Sequence, residues 1–339
     1  MTTSELALGA AIGRALGDAL ESDEKVVLMG EDIGRLGGVF RVTDGLQARF
    51  GKNRVIDSPL AESAIVGTAV GMAYRGYRPV VEIQFDGFVY PAFDQIVAQV
   101  ARLHYRTQGR VRMPITVRVP YGGDIGSVEH HSESPESYFA HTPGLRVVTA
   151  SSPQEAYSTM RAAIASDDPV MFFEPKSRYW AKGDVDTDLT RDLDTAAVLT
   201  TGRDVTVATY GPVVKTALEA AIAASDEGIE LEVIDLRAIS PLDVDTVAAS
   251  VERTGRLVVA HEAPAEASVA SELIASVVER SFPALRAAPE RVTGYDTPYP
   301  PSALEGAYLP SLDRILDAVD RTLGRRSSRT GLEYAGGAR

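Results

Sequence analysis

The sequence predicts an α/β protein built from two parallel-sheet domains. Two features predict it. Short apolar runs alternate with segments of helical period, the pattern of a parallel sheet covered by helices on both faces. The alternation stops at a polar, acidic stretch, "KGDVDTDLTRDLDT", and then starts again. A stretch of that kind reads as a linker or surface excursion. A chain of 339 residues is long enough for two cores.

The elements follow in order. Leu8, Ile12, Leu16 and Leu20 recur every four residues, which predicts an amphipathic helix. "KVVLMG" is a strand, "RVIDSP" a short extended run, Ala61–Arg75 a helix and "RPVVEIQF" a strand. Phe93–Leu103 has a helical pattern, "PITVRV" is a strand and "YGGDIGSVEHHSES" an irregular loop. "LRVVTA" is a strand, Pro153–Ala165 a helix with proline in its first turn, and "PVMFFEP" a strand. The second set runs "DVTVATYG", Val213–Ala224, "LEVIDL", Val244–Val251, "RLVVAHE" and Glu266–Ser281. The last residues, "GRRSSRTGLEYAGGAR", carry no apolar period and are expected to be mobile.

Composition removes several functions. The net charge is −13, and an acidic surface repels phosphate backbones, so nucleic acid is not an expected partner. There is no cysteine, which excludes disulfides, thiolate nucleophiles and zinc–thiolate sites. "MTTSELALGAAIGRAL" lacks the basic start and apolar core of a signal peptide, and no apolar run is long enough to span a membrane. A cytoplasmic location is expected.

Candidate chemistry concentrates in a few places. There is no Walker-type phosphate loop and no convincing G-x-G-x-x-G after the first strand. "YGGDIGS" precedes "VEHHSES" rather than a long apolar helix, so it reads as a flexible active-site loop whose glycines permit unusual backbone shapes. His130 and His131 are adjacent and do not face the same way, which argues against a chelating pair. One of them can act as a proton donor or charge stabiliser, having a free pKa of about 6.5, or both can be plain surface residues. His261 ends an apolar strand and reads as structural.

Glu62 stands at the mouth of "SAIVGTAVGMA". It can be a favourable charge on a helix dipole. It can also be a working acid that shares a proton with a ligand, the small residues beyond it letting a ligand or partner chain come close. Phe85, Phe88, Tyr90 and Phe93 crowd the end of the next strand. Core packing accounts for Phe85 and Phe93. Phe88 and Tyr90 fall where a strand gives way to a helix, a usual pocket rim, and could stack on a flat heterocycle.

Together these segments resemble a family. "GEDIGRLGGVFRVTDGL", "DSPLAESAIVG", "EIQFDGFVYPAFDQI", "EHHSESPESYFAHTPGL", "FFEPK", "VIDLRAISPLDVDT", "GRLVVAHEAP" and "GYDTPYP" occur in this order. The chain resembles the beta subunit of thiamine-diphosphate-dependent 2-oxo acid dehydrogenases, from about Glu5 to about Leu323. Its blocks look most like the branched-chain 2-oxo acid type, with pyruvate dehydrogenase beta chains next.

The resemblance implies roles. Glu62 matches a glutamate that hydrogen-bonds the aminopyrimidine of thiamine diphosphate. Phe88 matches an aromatic position packed against that ring, often tyrosine in branched-chain members, and Phe85 beside it is a further cofactor-binding candidate. His131 matches the active-site histidine, which, if protonated, could stabilise charge as the acyl group passes to a lipoyl arm. A structural monovalent cation, K+, would rest on backbone oxygens around Ile115, Thr116, Ala163, Ser166 and Asp168. The implied architecture is a transketolase-like pyrimidine-binding domain over 1–188, a linker over 189–199, a transketolase C-terminal-like domain over 200–324 and a tail over 325–339.

One absence shapes the expected assembly. The G-D-G segment with which thiamine enzymes hold the diphosphate and its Mg2+ is missing. In the resembled family the alpha subunit supplies it. The expectation is an alpha2–beta2 heterotetramer that decarboxylates a small 2-oxo acid and acylates a dihydrolipoyl acyltransferase core, inactive as this chain alone. The acidic surface is expected to meet a basic domain of that core. Pyruvate or acetoin as substrate, an NAD-dependent dehydrogenase and a non-catalytic assembly subunit are the rival readings.

Overall fold

Unbroken apolar runs make strands buried on both faces, and such strands pair in parallel with helical crossovers between them. The computed structural model describes residues 3–325. The chain opens with β1 (Thr3–Ala7), α1 (Leu8–Ser22), β2 (Val26–Gly30), α2 (Leu46–Phe50), β3 (Val55–Asp57), α3 (Glu62–Tyr74) and β4 (Arg78–Glu82). Two single 3-10 turns, Asp86–Phe88 and Tyr90–Ala92, and a π-helical stretch, Gln95–Val100, lead to α4 (Leu103–Arg106) and β5 (Thr116–Tyr121). Then come α5 (Glu136–Ala140), β6 (Arg146–Thr149), α6 (Pro153–Ala165), β7 (Val170–Pro175) and β8 (Lys182–Asp186).

The second half contains β9 (Ala197–Thr200), β10 (Val205–Thr209), α7 (Val213–Asp226), β11 (Leu231–Asp235), β12 (Ala238–Ser240) and α8 (Val244–Thr254). It ends with β13 (Leu257–Pro264), α9 (Val269–Ser281), β14 (Glu290–Gly294), α10 (Glu305–Tyr308) and α11 (Leu312–Thr322). The stretch expected to be mobile lies outside the described residues, apart from Gly324 and Arg325.

Two main sheets result. The first has seven strands in the order β12-β6-β7-β5-β4-β2-β3, parallel except where β12 meets β6. The second has five, β14-β13-β10-β11-β9, parallel except where β9 meets β11. β12 follows β11 of the second sheet yet joins the first, so the sheets interlock. A continuous core carries the same message: Val119, Tyr121 and Phe173 of the first sheet pack in one cluster with Ala208, Tyr210 and Val259 of the second. Helix α1 buries Leu8, Ile12, Leu16 and Leu20 as its period predicts and packs along α6. Ser152 caps α6 by accepting from the Glu155 N–H, with Pro153 in the first turn.

Two stretches differ from the sequence reading. Inside the segment read as a linker or surface excursion, β8 pairs antiparallel with β1, and β9 starts at Ala197. Both are short, half-exposed strands, β8 polar and β9 mostly apolar, whose partners lie elsewhere in the chain, so local periodicity gives no sign of them. The helical pattern over Phe93–Leu103 becomes the π-helical stretch followed by a break before α4.

A buried ion triad ties the middle of the first sheet together. Arg118 on β5 donates through Nε and Nη2 to both oxygens of Glu174 on β7 (2.6 and 3.0 Å) and through Nη1 to Glu82 on β4 (2.7 Å). Tyr179 Oη adds a further donor to Glu174 (2.6 Å). Such a triad is tolerated because each charge is paired; removing the cation leaves two buried carboxylates uncompensated. Arg118→Met is expected to cost about 3–5 kcal/mol, read by chemical denaturation. A loss under ~1 kcal/mol would show that the triad carries little of the first sheet's stability.

Candidate active site

In an open parallel sheet, sites form outside the carboxyl ends of the strands. Here four segments leave that edge of the first sheet. Glu31 follows β2, Phe85 and the turn Asp86–Phe88 follow β4, the glycine-rich loop follows β5, and Lys176 follows β7. Glu62 joins them as the first residue of α3, which the chain enters from β3.

Glu62 is 8% exposed. Among the described residues its carboxylate accepts no hydrogen bond and forms no ion pair. Its neighbour is another acid: Glu31 is pushed above the ordinary carboxylate range, chiefly by burial and then by the charges of Glu62 and Asp32. The side chain is largely covered yet its carboxylate has no internal partner, which leaves its oxygens available to a group from outside the chain. The face of α3 beyond it has the same character. Ser63, Ala64, Thr68 and Gly71 are exposed on a helix whose remaining residues are mostly apolar, and Leu60 just before it is 79% exposed.

The aromatic residues converge with one histidine. His131 lies 4.1 Å from Phe85 and 5.4 Å from Phe88, ring centre to ring centre, and the two phenylalanines meet edge to face at 5.8 Å. Phe85 therefore lines the site rather than only filling core. Phe93 packs on Phe139 in the interior as expected, while Tyr90 donates to Glu133 (2.8 Å) and stays partly exposed. His131 Nδ1 is buried without a hydrogen-bond partner. His130 points away, largely exposed, with Glu129 beside it.

Asp86 and Lys176 complete the cluster, and local sequence reasoning passed over both. They form an ion pair with neither side chain exposed. Asp86 Oδ2 accepts the Glu133 N–H (2.6 Å), which pins the far end of the glycine-rich loop. Burial pushes Asp86 up to about 6 against the pull of Lys176, and burial pulls Lys176 down. The lysine ammonium also lies 5.7 Å from the centre of the Phe85 ring. The signals were an aspartate among aromatics and a lysine closing "FFEPK", but only the fold brings the two together.

His131 titrates below its ordinary value, first because it is partly buried and then because the positive charge of Lys176 opposes a second one. Both causes favour the neutral imidazole over the imidazolium. A neutral ring offers one N–H donor and one acceptor nitrogen.

The backbone positions considered for a monovalent cation lie elsewhere. Ile115, Thr116 and Asp168 fall at the opposite, amino-terminal ends of β5 and β7, and Ala163 and Ser166 at the end of α6. Four of these carbonyls already accept a hydrogen bond: Ile115 from Val170 N (2.9 Å), Ala163 from Ser166 N (3.2 Å), Ser166 from Arg78 Nη1 (2.8 Å) and Asp168 from Ser166 Oγ (3.0 Å). Each keeps a second lone pair, so in donor type the set fits such an ion. Among the described residues no group of three or more His, Asp or Glu side chains could hold a metal, and no helix is long and apolar enough to cross a membrane.

Comparison with known proteins decides the family. The transketolase pyrimidine-binding domain matches residues 4–181, and the transketolase C-terminal domain matches residues 194–315. The "Pyruvate dehydrogenase E1 component subunit beta" of Leifsonia xyli subsp. xyli is 56% identical over 314 residues, 92% of this chain and 93% of that one. The chain belongs to the 2-oxo acid dehydrogenase beta-subunit family. Another of its members, the "3-methyl-2-oxobutanoate dehydrogenase subunit beta" of Mycobacterium tuberculosis, is 53% identical over 95% of this chain and 93% of its own length. The "2-oxoisovalerate dehydrogenase subunit beta" of Pseudomonas aeruginosa is 44% identical over 95% of this chain and 96% of its own. A solved "Split gene transketolase, inactive beta4 tetramer" superposes with a TM-score of 0.79 at 21% identity, covering 95% of this chain and 99% of that one, which establishes the shared fold.

In this beta subunit the His131 environment can be tested directly. An NMR titration should place the imidazole below pH 6.5. Lys176→Met removes a positive charge, which favours the imidazolium, so the titration should move upward. A His131 pKa that is unchanged or lower in the variant would contradict this account.

Proposed function

We propose that this chain is the beta half of a 2-oxo acid decarboxylating enzyme whose site is completed by an alpha subunit in an alpha2–beta2 assembly. The observation that carries it is Glu62: a buried carboxylate without a partner of its own, on the sheet edge that also carries Phe85, Phe88 and His131. Thiamine diphosphate, when bound, supplies a thiazolium that takes up the electrons released as carbon dioxide leaves. Glu62 would hold its aminopyrimidine by sharing a proton at a carboxylate oxygen. Phe88 and Phe85 offer flat apolar surface to that ring and exclude water. Neutral His131 presents an N–H or a lone pair toward the reacting groups and can move a proton at Nδ1 or Nε2.

The exposed small-residue face of α3, with Leu60 beside it, supports a close-packed alpha subunit next to Glu62. The alpha subunit would also hold the diphosphate and supply most of the Mg2+ ligands; among the described residues this chain has no group of three or more His, Asp or Glu side chains that could hold a metal. K+ on the carbonyls of Ile115, Thr116, Ala163, Ser166 and Asp168 would tie the end of α6 to β5. The acyl product would pass to the lipoyl group of a dihydrolipoyl acyltransferase core, and the enzyme would work in the cytoplasm.

The substrate reading is a branched-chain 2-oxo acid, as the names of the 53% and 44% identical relatives suggest. The name of the 56% identical relative favours a second reading, pyruvate. Relative kcat/KM values for a panel of 2-oxo acids with the assembled enzyme separate the two.

The test of the function itself uses the assembled enzyme and the isolated chain with thiamine diphosphate and Mg2+. The assembled enzyme should decarboxylate its 2-oxo acid and the isolated chain should not. Glu62→Gln should lower kcat by roughly 10²–10⁴-fold without changing the unfolding midpoint by more than a degree or two. Robust turnover by the chain alone, or an unchanged rate in Glu62→Gln, would contradict the proposal.

A further inference from the structure

We propose that two carboxylates of the second domain, Glu305 and Glu262, are positioning residues for His131. They hold the glycine-rich limb of its loop through four consecutive backbone N–H groups. This rests on the functional reading of His131 given above.

The loop runs from Gly122 to Glu133 and closes at its neck, where the Gly122 N–H donates to the Glu133 carbonyl (2.9 Å). The His131 limb is held by the first domain, through Phe85 and through Asp86 at Glu133. The other limb is not. The Gly123 N–H donates to Glu262 Oε2 (3.0 Å). The N–H groups of Asp124 and Ile125 donate to Glu305 Oε1 (2.9 and 3.3 Å), and that of Gly126 to Oε2 (3.0 Å). All four go to the second domain.

Successive N–H groups turned to one side make a concavity for an anion, and three of the four converge on the Glu305 carboxylate, where bonds to a charged acceptor are the strong ones. Both carboxylates are buried, so water competes little. The chain shape is adapted to the arrangement. Asp124 and Gly126 adopt φ of +62° and +69°. A Cβ on Gly123 would lie 1.9 Å from Tyr299 Oη, so only glycine admits the tyrosine that donates to Glu305 Oε1 (2.6 Å). The second domain thus fixes one limb of the loop and the first domain fixes the other. His131 lies on the same loop, two residues before the Glu133 neck and five after Gly126, so a limb held from the second domain can set its geometry from a distance.

The test compares Glu305→Ala, Glu305→Gln and Tyr299→Phe with wild type in the full chain and in the assembled enzyme. Amide hydrogen exchange at 124–126 should speed up by about 10-fold or more in Glu305→Ala. The effect should be smaller in Glu305→Gln, which keeps one acceptor oxygen, and smallest in Tyr299→Phe. The His131 titration should move toward pH 6.5 in the same order, and kcat should fall by about 10–100-fold in the alanine variant with little change in KM. Two results would overturn the proposal. One is unchanged exchange at 124–126. The other is faster exchange with His131 titration and kcat unmoved, which would make Glu305 a staple between domains only. If Glu305→Ala does not fold, the glutamine and phenylalanine variants decide by the same readouts. An inactive wild-type assembly would remove the functional reading, while exchange and titration would still judge this one.

Discussion

The Asp86–Lys176 ion pair is the contact around which the site is organised. It joins the end of β4 to the end of β7 across the intervening β5, with both side chains closed off from solvent. A buried pair is stable only when its remaining hydrogen-bonding capacity is used. Here the Glu133 N–H takes the second oxygen of Asp86, and the Pro120 carbonyl lies 3.5 Å from Lys176 Nζ. One ion pair therefore fixes a loop neck, faces the Phe85 ring and sets the electrostatic surroundings of His131. The Arg118 triad lies on the same three strands, so the sheet edge that carries the site is also where its buried charges are concentrated.

The second domain contributes more than a platform. It lends β12 to the first sheet, shares a continuous apolar core with it and reaches across with carboxylates. Glu136 of α5 accepts from Tyr210, which follows β10 (2.7 Å), and burial pushes Glu136 up to about 7. Glu262 is likewise pushed up to about 7. Their folded values lie above the unfolded carboxylate range near 4.5. Each therefore binds its proton more tightly in the folded chain, and its contribution to stability is lost as pH rises from about 4.5 to about 7. His261, buried beside Tyr210, has the opposite sign. Burial pulls it down to about 4, so folding loses stability as pH falls from about 6.5 toward that value.

Much of this was legible in the sequence, for physical reasons. Strands such as "VVLMG" and "VMFFEP" are buried on both faces and read as unbroken apolar runs, and α1 declared itself by its four-residue period. Glu62 stood out because a carboxylate before a run of small apolar residues is chemically odd. What stayed hidden depends on distance in sequence. β1 and β8 are polar edge strands that exist only through each other. "AIS" gives no local hint that it crosses into the other sheet. Asp86 and Lys176 are far apart in the chain, as are Glu305 and Gly126, and pairings of that kind leave no periodic trace. His131 was found by its neighbours in sequence, but its lowered titration follows first from burial and then from Lys176, and only the fold supplies either.

The central claim is that this chain presents a half-site, with Glu62 waiting for a group supplied from outside it. An experimental structure of the chain assembled with its alpha partner and thiamine diphosphate tests this most directly. The account predicts Glu62 at the subunit interface with a carboxylate oxygen within hydrogen-bond reach of the aminopyrimidine, about 2.6–3.2 Å. Glu62 solvated and remote from any subunit interface, with the cofactor bound elsewhere, would contradict it.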